Sequence, residues 1–96
     1  MSKDEIRIDV LLDRLCIVKN RSIAKKACNC GLVEVNGIKV KPSKRVKHGD
    51  MIRVLLYGFI TEFEIVNIPK GSIRKKDAPH YYRLFVRNQS NKLHDI

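Results

Sequence analysis

The chain has 96 residues, 20 Lys and Arg against 10 Asp and Glu, and a formal net charge of +10. That length makes one domain, and 44% apolar with 31% charged residues is globular composition, not the depleted profile of a disordered chain. The longest apolar run, Val54–Ile60 with Gly58 inside it, is far shorter than the ~20 residues of a spanning helix, and no signal-peptide stretch follows Met1, so the expected compartment is the cytoplasm.

Ile8, Leu11, Leu12 and Leu15 fall at i, i+3, i+4 and i+7, which predicts a first helix over 8–17 with Asp9 near its positive end. Val18-Lys19-Asn20-Arg21 connects it to a second, short helix, with Ser22 as the expected N-cap and Gly31 as the C-terminal stop. At 100° per residue, Ile23, Ala24, Ala27 and Cys28 share one side of that helix. Ser22, Lys25, Lys26 and Asn29 share the other, so its outer face is basic.

The period then changes to two. Val33–Val35 predicts a strand, Asn36-Gly37 a type I′ hairpin turn, and Ile38–Lys41 the return strand, ended by Pro42-Ser43. Lys44–Lys47 reads as a basic connection anchored by Val46, and His48-Gly49-Asp50 as a turn. Strands are predicted over 51–56, 61–68 and 81–86, with a turn or bulge at Tyr57-Gly58 and a basic loop or short helical turn over 73–80. Helices segregated from strands make an α+β domain, two short N-terminal helices on a small, mainly antiparallel sheet.

Three functional classes fare poorly. No Gly-x-Ser-x-Gly, His-Glu-x-x-His or P-loop is present, so no catalytic residues are expected. Cys28-x-Cys30 with His48, His80 and His94 fits no standard zinc module. Cys16 and Cys28 read instead as small apolar residues in helices, with no metal or other cofactor. A peripheral membrane or DNA-binding role has only charge to support it.

The charge is concentrated. Residues 19–47 carry nine basic groups and one acid, Glu34. A single-sign field of that density calls for a polyanion. Arg7, Lys19, Arg21, Lys25 and Lys26 converge if the two helices pack as a hairpin, and the second helix's exposed N–H groups beside Ser22 suit a phosphate. Arg7 and Arg21 are expected to be exposed, with no acid partner once Asp9 serves its helix start. The stretch holds no Phe, Tyr or Trp for base stacking, which favours recognition of structured RNA through shape and backbone.

Arg7-Ile8-Asp9-x-x-Leu12, Lys19-Asn20-Arg21-Ser22-x-Ala24, Gly31-x-Val33-x-Val35-Asn36-Gly37, Lys41-Pro42-Ser43 and Val46-Lys47-His48-Gly49-Asp50-x-Ile52 together resemble the S4-type RNA-binding domain, the αL RNA-binding fold, over residues 6–55. His48 stands where that family usually has Pro. The resemblance implies RNA contact by Arg7, Lys19, Arg21, Ser22, Lys25 and Lys26, and by Lys44 and Arg45. Stand-alone modules of this size resemble two bacterial groups. One is a heat-shock protein of large ribosomal subunits, with a long basic C-terminal extension. The other is a ribosome-quality-control factor bound near peptidyl-tRNA and large-subunit rRNA. The second is the closer, since the chain ends soon after its last strand. The implied division is a tail at 1–5, an S4-type core at 6–56, a strand extension at 57–87 and a tail at 88–96. The implied partners are structured RNA, namely large-subunit rRNA and peptidyl-tRNA, on the large ribosomal subunit, bound by a monomer. The alternative is an RNA-targeting subunit of a separate rRNA- or tRNA-modifying enzyme.

Overall fold

The computed structural model describes residues 4–89. Its elements are β1 (Glu5–Arg7), α1 (Ile8–Arg14), α2 (Arg21–Asn29), β2 (Val33–Val35), β3 (Ile38–Lys39), β4 (Arg45–Lys47), β5 (Met51–Leu56), β6 (Phe59–Ile65), a 3₁₀ helix (Lys75–His80) and β7 (Tyr82–Gln89). All strand pairs are antiparallel. β3-β2-β5-β6-β7 form one sheet, and β1 pairs with β4 in a separate ribbon. Among these residues no helix is long and apolar enough to cross a membrane.

The period-two and period-3.6 stripes meet in one core. Ile8, Leu11, Leu12 and Leu15 pack with Ala24, Ala27 and Cys28 against Val33, Ile52, Val54, Phe63 and Ile65. Burying an aliphatic or aromatic side chain contributes ~1.5–3 kcal/mol, so this stripe-on-stripe contact is what holds helices of seven and nine residues in place. Neither would persist alone.

The helix ends explain the largest departure from the sequence reading. α1 stops at Arg14, not at residue 17. Cys16 takes φ 62°, and the Cys16 and Ile17 N–H groups donate to the carbonyls of Asp13 and Leu12. This is a Schellman stop with cysteine in the left-handed position where glycine is usual. Cys16 is therefore an exposed turn residue, not a helical one. α2 closes in the same way with the expected residue. Gly31, at φ 76°, donates to Cys28, and Leu32 donates to Ala27. At its start the cap is Asn20, not Ser22: the Asn20 Oδ1 accepts the Ile23 N–H at 2.9 Å.

The Asn36-Gly37 turn has both φ values positive, 52° and 86°, as type I′ requires. Beyond it the return strand is only Ile38–Lys39, shorter than the expected 38–41. Lys44–Lys47 is not merely a connection: Arg45–Lys47 pairs with Glu5–Arg7, so Glu5 belongs to a strand and not to a tail. β6 starts two residues before the expected 61 and ends at Ile65. β7 runs past the expected 86, with a register shift opposite Glu62/Phe63 that leaves Phe85 as the extra residue. The expected 88–96 tail lies outside the described residues from position 90.

Candidate nucleic-acid interface

The site is built around Asp9. This carboxylate is fully buried, at 0% exposure, in the first turn of α1. Its Oδ1 accepts from the Val10 N–H at 2.8 Å and from Arg7 Nε at 3.1 Å. Its Oδ2 accepts from Arg7 Nη2 at 3.1 Å and from Arg21 Nε at 3.3 Å. A buried carboxylate needs such partners, because removal from water disfavours its charge. The expectation that Arg7 and Arg21 lack an acid partner is thus corrected. Asp9 binds both, and it ties the start of α1 to the start of α2.

The arrangement leaves donors outward. Among the described residues Arg21 uses only Nε on Asp9, so both its Nη groups remain, as does Nη1 of Arg7. The two side chains are 46% and 38% exposed. Guanidinium groups fixed on one edge present the other as a ready fork for phosphate.

The neighbouring basic residues arrive by the backbone. The Lys44 carbonyl accepts the Ile8 N–H at 2.8 Å and the Pro42 carbonyl accepts the Asp9 N–H at 3.3 Å, so the 42–44 loop closes the start of α1. Arg45 stands opposite Arg7 in the β1–β4 ribbon. Ser22, Lys25 and Lys26 lie exposed on α2, and among the described residues none of the three has an ion-pair partner. Arg21 and Lys25 are i, i+4 neighbours, as are Ser22 and Lys26. The structure thus brings Arg7 and Arg21 together at the helix starts, with Ser22 and Lys25 following on the exposed face of α2, Lys26 in its last turn, and Lys44 and Arg45 on the adjoining loop and strand. Lys19 stands apart and lines a groove against β5–β7.

A second buried acid, Asp50, shapes the turn after β4. It accepts from the Lys47 N–H at 3.0 Å and from Asn36 Nδ2 at 3.2 Å, and so locks the His48-Gly49 turn to the Asn36-Gly37 hairpin. Sequence reasoning missed the roles of both Asp9 and Asp50. Their signal was a single acid inside an apolar or basic pattern with a basic residue close before it, Arg7 before Asp9 and Lys47 before Asp50. Among the described residues no three His, Cys, Asp or Glu side chains are grouped as metal ligands; His94 lies outside them. Burial, and then the Asp9 charge, push the Cys28 thiol up to about 11.

Two short helices, a basic α2 face and an antiparallel sheet define an S4-domain protein, and the S4 domain family matches residues 6–52. A protein of Helicobacter pylori (strain J99), the RQC P-site tRNA stabilizing factor, is 41% identical over 78 residues, covering 80% of this chain and 92% of that protein. The protein of that name from Halalkalibacterium halodurans is 32% identical, covering 82% and 89%. The chain belongs to this family of RQC P-site tRNA stabilizing factors. In structure it is similar to heat shock protein 15 of Vibrio cholerae, described as trimeric, with a TM-score of 0.80, 29% identity and coverage of 86% and 84%.

Proposed function

We propose that this chain is a non-catalytic, cytoplasmic RNA-binding factor that steadies the P-site tRNA on the large ribosomal subunit during ribosome quality control. The observation that carries the reading is the relationship to RQC P-site tRNA stabilizing factors over about nine-tenths of their length. The Asp9-centred cluster supplies the chemistry. Arg7 and Arg21 offer oriented forks to phosphate, Lys25 and Lys26 add point charges, and the Ser22 end of α2 adds backbone N–H groups. Lys19, Lys44 and Arg45 widen the contact. In this reading residues 6–56 are the RNA-binding core and 57–87 extend the same domain. The alternative, a targeting subunit of a separate RNA-modifying enzyme, has no observation in its favour.

Gradient fractionation of the tagged chain with RNA crosslinking tests the reading. It predicts comigration with large subunits that carry peptidyl-tRNA, and crosslinks to tRNA and large-subunit rRNA. Comigration with a methyltransferase or synthase, away from ribosomal particles, would overturn it.

A further inference from the structure

The apolar face of the main sheet runs on past the helices. Leu56 pairs with Phe59, Val54 with Thr61, Thr61 with Arg87, and Phe63 with Leu84, so these residues share one face. α1 and α2 cover Val54 and Phe63. The far end, with Phe59, Leu84 and the Tyr57 turn, lines an open groove enclosing about 700 Å³. Leu84 is 49% exposed and Tyr57 55%. Arg87 is held with its guanidinium carbon 4.9 Å from the Phe59 ring centroid. Lys19 and Lys75 reach the same groove, and among the described residues Asp13 is its only acidic lining residue.

The turn itself is informative. Tyr57-Gly58 has φ values of 55° and 77°, the same type I′ geometry as Asn36-Gly37. Asn is the low-strain residue at the first position, and this chain uses it in the other hairpin. A bulky aromatic in that left-handed conformation is strained. Strain of this kind gathers where a side chain serves a ligand. Here the strained residue is an exposed aromatic that lines a groove also lined by Lys19, Lys75 and Arg87.

We infer that this groove binds one unpaired RNA nucleotide, with its base stacked on Tyr57 and its flanking phosphates met by Lys19, Lys75 and Arg87. The inference rests on the RNA-binding reading above and adds a base-recognition subsite to a surface otherwise suited to backbone. Charge chooses the occupant: an apolar peptide would use Leu84 and Phe59 but would leave three cations unanswered, whereas a nucleotide meets both the aromatic and the cationic components.

The test uses the full chain and two stem–loop RNAs with identical stems. One carries a single bulged adenosine and the other an abasic site at that position. Fluorescence anisotropy is expected to give at least about fivefold tighter binding to the bulged RNA, the low end for stacking one base. Tyr57→Leu is expected to abolish that preference without changing affinity for the abasic RNA, and Tyr57→Phe to keep it. Equal affinity of the wild type for both RNAs, or a preference that survives Tyr57→Leu, would overturn the groove proposal alone. Binding to neither RNA would overturn the RNA-binding reading with it. Methyl resonances of Leu84 report the occupant. Shifts with the bulged RNA support the proposal, and shifts with an apolar octapeptide but not with RNA contradict it.

Discussion

The Asp9 cluster and the Tyr57 groove are both cationic, and they are built on opposite plans. In the first, a carboxylate without solvent exposure gathers Arg7 and Arg21, so the position of each arginine is coupled to the packing of two helices. In the second, Lys19, Lys75 and Arg87 have no ion-pair partner among the described residues, and Arg87 rests on Phe59. Charge alone therefore does not reveal what a basic residue does. In the proposed reading, the arginines bound to the buried acid serve folding as well as RNA contact, whereas the unpaired surface cations serve RNA contact alone.

Removing the acid should have the largest effect. Asp9→Ala leaves two guanidiniums facing each other and the Val10 N–H without its acceptor. Loss of one partner of a buried charge pair costs ~3–5 kcal/mol, and partial solvation of both arginines places this case toward the low end. Urea unfolding of the variant should show that loss. An unchanged midpoint would mean the cluster is not coupled to folding.

Arg21→Glu comes next. It sets a carboxylate against Asp9, and about 1–3 kcal/mol of stability should go with the lost bond and the new repulsion. RNA binding should fall as well. Lys25→Glu, one turn along α2, should weaken RNA binding comparably yet melt within about 0.5 kcal/mol of the wild type. Thermal melting beside ribosome co-sedimentation separates the two. If both variants melt like the wild type, the contrast between paired and unpaired cations fails.

A smaller contrast lies at the cap. Asn20→Ala should cost about 1 kcal/mol, the usual value of an N-cap. Ser22→Ala should stay within about 0.5 kcal/mol, as surface changes do. Equal costs in denaturant would return the cap to Ser22.

The effect at Cys28 shows only at high pH. Its thiol is pushed up from 9.0 to about 11, by burial first and the Asp9 charge second. The folded state therefore favours the protonated thiol. This contribution to stability is fully present below pH 9 and is lost as pH rises towards 11. At pH 8 a thiol reagent should modify exposed Cys16 and Cys30 and spare Cys28 until the chain is unfolded. Rapid native modification of all three would contradict the burial.

What was legible in the sequence follows from the range of each signal. The Leu11–Leu15 stripe, the apolar side of α2 and the Asn36-Gly37 turn are local patterns, and the structure keeps all three. The β1–β4 ribbon was not legible because it pairs segments far apart in the chain, Ile6 with Val46, with no hairpin turn between them to announce the pairing. The end of α1 was hidden because cysteine, not glycine, occupies its left-handed position. The basic α2 face was legible as a face. Its anchor was not, since Asp9 and Arg21 are twelve residues apart and meet only once the helices pack. Likewise, nothing local in Lys19 indicated that it turns from the cluster towards the β5–β7 groove.

A salt titration checks the proposed phosphate contacts of the α2 face. Affinity for structured rRNA should fall with a slope of roughly −3.5 to −4.5 in log K against log salt if about five phosphates are neutralised. Replacing Lys25 and Lys26 together with alanine should make the slope shallower by about 1.4–1.8 while leaving the melting temperature unchanged. A flat slope for the wild type, or a double variant that keeps the full slope, would contradict those contacts.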